Sequence, residues 1–256
     1  LKLRMLGTGN AFAKAYYNNN ALLESGGRTL MLDCGTTAPR ALYELGIGFD
    51  TIDAILVSHI HADHIGGLEE FAFQCKFVYR RKPILYISSQ LVEPLWEHSL
   101  RGGLEQEGFQ SLDDYFEVRP LEVGVPADLL PGLKVELVLT SHIPGKTSYS
   151  ILLNDYFFYT ADMVFDRELL ERMVSERGVS VIFHDCQLHP PGFVHADLPK
   201  LLTLPEELQK MIYLMHYGDD QPEFIGQTGR MKFVEQHKVY EILPASVVLT
   251  DEIRYN

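Results

Sequence analysis

Three histidines and one aspartate fall within the six residues His59-Ile60-His61-Ala62-Asp63-His64, directly after the apolar run Ile52 to Val57 and just ahead of Gly66-Gly67. The run reads as a buried strand, and Ile65 to Phe73 reads as the start of a helix. The cluster therefore falls where a strand ends and a helix begins, the usual place for a site on a rigid scaffold. A lone histidine there would be read as structural. Four ligand-type residues at this spacing set that reading aside, and they suit zinc, manganese or iron rather than calcium or magnesium alone. The stretch reads as a metal site.

The rest of the chain repeats the pattern. Lys2 to Leu6 is expected as a first strand, closed by the loop Gly7-Thr8-Gly9-Asn10. With no helix obviously following it, this glycine pair is weak support for phosphate binding. Ala21 to Glu24 and Thr29 to Leu32 read as a hairpin, ending at Asp33-Cys34-Gly35. Thr36 or Thr37 can cap a helix over Pro39 to Leu45. Asp33 is placed either to hold the outer nitrogen of a metal-bound histidine or to serve the turn. Pro83 to Ile87, Tyr115 to Arg119 and Leu133 to Leu139 read as strands, with a helix from Leu91 to Leu100. Ser148 to Leu153 and Tyr156 to Tyr159 form a hairpin around Asn154-Asp155. Asp166 caps a helix that Gly178 stops, and Val179 to Phe183 and Met211 to Met215 are further strands.

Ligand-type residues thus stand where strands end: Asp33, His59 to His64, His142, Asp162, His184-Asp185 and His216. They can converge only if those ends share one rim. No internal repeat or linker is evident, so residues 1–256 are expected as a single domain of two sheets with helices outside.

The charge balance narrows the partners. With 22 basic and 35 acidic residues the net charge is −13, which disfavours a grip on long nucleic acid. Lys76, Arg80, Arg81 and Lys82 form a local basic group, either solvated surface or a guide for an anionic substrate. No stretch approaches the ~20 apolar residues of a membrane helix. Three cysteines, Cys34, Cys75 and Cys186, fit a reducing compartment better than a disulfide framework. Leu1 to Leu6 is too short before Gly7 for a signal peptide, so a cytoplasmic location is expected.

The His-x-His-x-Asp-His cluster, with the downstream histidines and aspartate, resembles the metallo-β-lactamase superfamily over nearly the whole chain. The resemblance implies an α/β fold, the αββα four-layer sandwich, with two divalent metals at one edge. It implies His59, His61 and His142 on the first metal, Asp63, His64 and His216 on the second, and Asp162 between them. A bridging Asp, where the lactamases proper generally use Cys, argues against antibiotic hydrolysis. Leu6 to Ala11, Asn18 to Asn20 and Leu32 to Gly35 resemble the phosphodiesterase branch, ribonuclease Z and its relatives on small or cyclic diesters. That branch implies a proton-donating pair, here Asp185 and His195, and it often dimerises, which makes a homodimer an expectation.

This sequence departs from ribonuclease Z at several points. Asp185 stands for its Glu, Ala196-Asp197 for its Ser-Thr, and Tyr217 to Asp220 for its Ser-Arg-Tyr type segment. No long basic arm lies between His64 and His142. These departures argue against maturation of transfer RNA and leave phosphodiester cleavage intact.

The expected activity is a dinuclear hydrolase, a phosphodiesterase for a small or cyclic nucleotide-like diester, with zinc as the first choice of metal and manganese or iron as other fits. Metals ~3.5–4 Å apart would hold a bridging water and lower its pKa to give hydroxide. His195, supported by Asp185, would protonate the leaving alkoxide, and Asp63 completes the catalytic set. A thioester, lactone or β-lactam hydrolase on the same site stays open, as do a ribonuclease Z-type transfer RNA endonuclease and a metal-binding module without turnover. The loop His189 to Phe193 is either a wall of the substrate pocket or a surface turn. His98 and His237 fit no ligand pattern and read as structural.

Overall fold

Ala54–Val57 is apolar at every position, and in the computed structural model it has no solvent face at all. The structure describes residues 1–250. The chain first lays down β1 (Lys2–Met5), β2 (Ala21–Ser25), β3 (Arg28–Leu32), β4 (Ala54–Val57), β5 (Ile84–Ser88) and β6 (Glu117–Leu121). It then builds a second sheet from β7 (Ala127–Leu130), β8 (Leu133–Thr140), β9 (Ser148–Leu153), β10 (Phe157–Tyr159), β11 (Val181–Asp185), β12 (Ile212–Met215) and β13 (Lys232–Phe233). Finally β14 (Val239–Leu243) and β15 (Ser246–Thr250) return to the first sheet, where β14 pairs antiparallel with β1. The sheet orders are β15-β14-β1-β2-β3-β4-β5-β6 and β13-β12-β11-β10-β9-β8-β7.

Alternation along the second sheet decides the layers. Ile151, Leu153, Phe157, Tyr159, Val181 and Phe183 join the core shared with the first sheet, while Leu152, Phe158 and Ile182 point the other way. That outer face packs on α6 (Arg167–Ser175), α7 (Leu198–Leu201) and α8 (Glu206–Gln209), through Leu169, Leu170, Leu201 and Leu208. The first sheet is covered on its own outer side by α1 (Ala38–Glu44), α2 (Ala62–Ile65) and α3 (Leu68–Phe73) through Leu42, Leu68 and Phe71. The result is the expected αββα sandwich. Each large apolar side chain in it contributes about 1.5–3 kcal/mol by leaving water.

Local signals placed the elements. Asn154 and Asp155 both take left-handed φ, 49° and 62°, the pair a tight hairpin needs. Asp166 caps α6 by accepting from Leu169 N at 2.9 Å, and Gly178 takes φ +75° soon after its end. Thr37 occupies the cap of α1, but its Oγ1 accepts from Asn18 N instead of from the helix.

Two helices differ from expectation. The helix read from Ile65 begins earlier, at Ala62, and breaks at Gly66-Gly67. A Cβ on Gly66 would lie 2.3 Å from Thr36 Oγ1, and one on Gly67 2.6 Å from Gly35 O, so the break lets the chain pass against the Asp33–Thr36 turn. The helix expected over Leu91 to Leu100 is an irregular run: a tight turn Ser89–Leu91, α4 (Val92–Leu95), a π-helical turn Trp96–Leu100 and α5 (Arg101–Leu104).

β3, β4, β5 and β6 run parallel, so their carboxyl ends share one rim. In the second sheet β10, β11 and β12 run parallel, and β8 joins that direction through the antiparallel β9. A bridge between His59 and Ser148 joins the two rims. Arg80, Arg81 and Lys82 immediately precede β5, at the end opposite the rim. Arg81 donates to the carbonyls of Asp50 and Ile52, and Lys76 to that of Asp114 at 2.7 Å. Arg81 and Lys76 therefore tie turns together, and Arg80 to Lys82 stand at the end of β5 away from the rim.

Candidate metal centre

Residues spread over 158 positions of sequence meet at that rim, from His59 to His216. His59 follows β4, Asp63 and His64 sit on α2, His142 follows β8, Asp162 follows β10, Asp185 ends β11, and His216 follows β12. Backbone strain marks the same places: Asp33, Ala161 and His216 hold φ of 57°, 49° and 59°, conformations that persist only where the surroundings impose them.

The inward nitrogens and oxygens fall into interlocking groups. One is His59, His61, His142 and Asp162, and another is Asp63, His64, Asp162 and His216. In the first, His59 Nε2 and His142 Nε2 lie 3.0 and 3.3 Å from His61 Nδ1, and each lies 3.7 Å from Asp162 Oδ2. In the second, His64 Nε2 lies 3.3 Å from both Asp63 Oδ2 and Asp162 Oδ2. His216 Nε2 is 3.2 Å from Asp63 Oδ2 and 3.4 Å from Asp162 Oδ1. Donors held at zinc–nitrogen distances stand roughly 3.3–3.4 Å apart around a tetrahedron. The observed spacings bracket that edge.

The outer nitrogens say which way the inner ones face. His64 Nδ1 lies 2.8 Å from Asp33 Oδ2, a carboxylate that also accepts from Ser58 N and Ser58 Oγ at 2.7 Å each. Because Ser58 Oγ spends its proton on Asp33, it accepts from His59 Nδ1 at 3.0 Å. His142 Nδ1 donates to Val194 O at 2.7 Å, and His216 Nδ1 is 3.4 Å from Asp185 Oδ1. Each of these four rings thus turns Nε2 toward the centre, the atom a metal would bind once it carries no proton. Buried His64 Nε2 and Asp162 Oδ1 have no hydrogen-bond partner, as expected of atoms that await an ion. The residues fit a divalent metal.

Electrostatics agree. Burial, followed by the neighbouring histidines, pulls His61 down to about 4, and burial also lowers His59 and His142, so this trio is neutral. Burial opposes charge on His64 and His216 as well, but Asp162 with its neighbouring carboxylates outweighs it and raises both, His216 to about 10. Protons on these two rings offset buried Asp63 and Asp162, a task a bound cation would take over.

Beside this centre stands a second pair. His195 Nδ1 lies 2.7 Å from Asp185 Oδ2, and Met163 N donates to the same oxygen at 3.1 Å. Asp185 is fully buried, whereas the His195 side chain keeps 21% of its surface. The sequence pairing of these two residues is thus a contact in the structure. The segment His189 to Phe193 lies apart: His189 Nε2 meets Asp220 Oδ2 at 2.5 Å, the Pro190-Pro191 bond is cis, and Phe193 is exposed. It delivers Val194 and His195 to the centre but does not line the cavity next to it.

That cavity, of ≈400 Å³, opens between His59, His61 and His142 on one side and Gln90, Leu91 and His98 on the other. His98, read as structural in the sequence, is exposed there because the π-helical turn carries it to the cavity wall. Gln90 and Lys146 also line it, and neither carries a sequence signal. His237 is stacked on Tyr17 at 5.7 Å. Cys34 and Cys186 are buried packing residues.

The asparagines and glycines of the N-terminal half brace the centre. Asn20 Oδ1 accepts from Gly35 N at 2.9 Å and its Nδ2 donates to Asp63 O at 3.2 Å. A Cβ on Gly35 would sit 1.8 Å from Asp63 O. Gly7 likewise packs on the Tyr17 and Asn18 backbone, so its glycine serves close approach, not phosphate.

A family model described as anti-Pycsar protein Apyc1 matches residues 1–240. Relatives of that name include one from Paenibacillus harenae, 57% identical over 242 residues, which are 94% of this chain and 100% of the relative. Another, from Bacillus phage vB_BsuM-Goe3, is 45% identical over 251 residues, covering 92% of this chain and 96% of the relative. Among solved structures, the metallo-β-lactamase fold protein YhfI from Bacillus subtilis superposes with a TM-score of 0.73 at 16% identity, over 93% of this chain and 98% of that one. A diphosphatase of the PhnP family gives 0.72 at 20% identity, over 95% and 98%. The short form of human tRNase Z gives 0.65 at 16%, over 95% and 100%. The fold is that of the metallo-β-lactamases, and the chain belongs to the anti-Pycsar protein Apyc1 family.

Proposed function

We propose that this member of the family is a metal-dependent phosphodiesterase that cleaves a small, cyclic nucleotide-like phosphodiester. The observation that carries the reading is the pairing of two ligand groups sharing Asp162 with a partly exposed His195–Asp185 dyad beside them. His59, His61 and His142 would hold one ion, Asp63, His64 and His216 a second, with Asp162 between. When bound, two such ions lower the pKa of water toward neutrality and neutralise charge on phosphoryl oxygens.

The remaining steps belong to the chain. Asp185 engages Nδ1 of His195, which leaves Nε2 to carry the proton that the departing alkoxide needs. Burial resists the imidazolium, but the Asp185 charge outweighs it and raises the His195 pKa, which favours the donor form. Asp33, Ser58 and Val194 keep the ligand rings from turning.

Substrate size is argued from surface and cavity. Between His64 and His142 several basic side chains are spoken for: Arg101 by Glu97 and Glu105, Arg119 by Glu117, Lys134 by Asp155. No unpaired basic track is evident there, and the net charge is −13, so a long nucleic acid finds little to grip. A ≈400 Å³ cavity suits a small ligand. No helix of the described residues is long and apolar enough to cross a membrane. The name of the relatives, anti-Pycsar protein, supplies the setting we carry to this chain: opposition to Pycsar.

The test is hydrolysis of bis(p-nitrophenyl) phosphate by metal-depleted protein with zinc or manganese restored. Turnover that returns with metal and is lost in Asp63→Ala supports the reading. No turnover with either metal rejects it and moves the bond cleaved to a thioester or lactone.

A further inference from the structure

Resting on that reading, we infer that the ≈400 Å³ cavity beside His61 and His142 is the seat of the substrate's nucleobase, and that Gln90 recognises the base through its side-chain Nε2. Two observations carry this. First, the cavity continues directly from the ring edges of the ligand histidines, so a group bonded to a phosphoryl centre there projects into it. Its walls mix apolar Ile60, Leu91 and Pro94, which can face a flat ring, with a few polar groups.

Second, the orientation of the Gln90 amide is fixed from below. Gln90 N donates to Ser88 Oγ at 3.3 Å, Ser88 Oγ donates to Tyr149 Oη at 2.9 Å, and Tyr149 Oη donates to Gln90 Oε1 at 3.2 Å. Ser88 and Tyr149 are fully buried, whereas Gln90 is exposed. The relay starts and ends on the same residue and runs in one direction. It takes up the amide oxygen and leaves the two Nε2 hydrogens for the cavity that Gln90 lines. A planar donor presented this way matches ring nitrogens and carbonyl oxygens, acceptors that every nucleobase carries. Gln90 therefore selects for the presence of a base and tolerates its identity. Tyr149 is a positioning residue and does not touch the substrate.

The experiment is a cycle with two substrates on metal-loaded protein: a cyclic nucleoside monophosphate, and the same cyclic ribose phosphate bearing methoxy in place of the base. Wild type prefers the first through KM. Gln90→Leu raises KM for it about three- to tenfold, the worth of one hydrogen bond, with kcat held. Gln90→Glu, which keeps shape but turns an acceptor to the cavity, raises it further. Once the base is gone, removing the amide costs nothing further. Additive losses, or a KM unmoved in both variants, overturn the assignment while leaving the phosphodiesterase reading intact. A wild type that cleaves neither substrate overturns that reading and the assignment with it.

Discussion

His64 Nδ1 lies 2.8 Å from Asp33 Oδ2, and this buried bond ties the end of β3 to the ligand helix that follows β4. Both side chains are fully buried, so neither can find water if the other is removed. Asp33→Ala should therefore weaken metal binding about 10–100-fold, the usual loss for an outer partner of a ligand histidine. Competition against a fluorescent zinc chelator reads this directly, and wild-type affinity in the variant would refute the role.

His195→Ala should lower kcat by about 10²–10⁴ while two ions still bind, because it removes a proton donor and no ligand. The loss should depend on the leaving group. A diester that expels p-nitrophenolate needs little protonation and should suffer least, and one that expels an alkoxide should suffer most. Equal losses on both would contradict a proton-donating role. Asp185→Asn should follow the same order, more weakly.

Removing the ions should lower the melting temperature. At metal a thousandfold above Kd the linkage is about 4 kcal/mol, or roughly 8–16 °C for a chain of this size. Calorimetry with a chelator checks this, and an unchanged midpoint would show that the clustered residues hold nothing.

Lys146 lines the cavity on the turn closed by its N–H to Ile143 O at 3.0 Å. Lys146→Ala should raise KM for an anionic substrate severalfold, and added salt should shrink the gap between variant and wild type. A gap unchanged by salt would mean that charge is not what Lys146 contributes.

How far the sequence revealed this site depends on whether each signal was local. His59 to His64 stood in one turn, and His142, Asp162 and His216 each followed an apolar run, so their convergence was readable from strand ends. Asp33 was readable by position but not by partner, since its bond to His64 spans the β3–β4 pairing. Arg80 to Lys82 left two readings open because charge density carries no direction, and only the parallel run of β5 puts them away from the rim. The place of His98 on the cavity wall was not readable, because no periodicity announces the π-helical turn that carries it. The helix break at Gly66-Gly67 needed knowledge of Thr36 and Gly35 against it. β14 pairs with β1 at the far end of the chain and carries β15 with it, so nothing near them predicted their place.

The central claim is that metal held by these residues cleaves a small phosphodiester. Phosphorus NMR of a cyclic nucleoside monophosphate, incubated with metal-depleted protein before and after zinc or manganese is restored, tests it most directly. The cyclic diester resonance should give way to a single monoester resonance only once metal is present, and Asp162→Ala should abolish the change. A diester that persists in the fully loaded wild-type protein would contradict it.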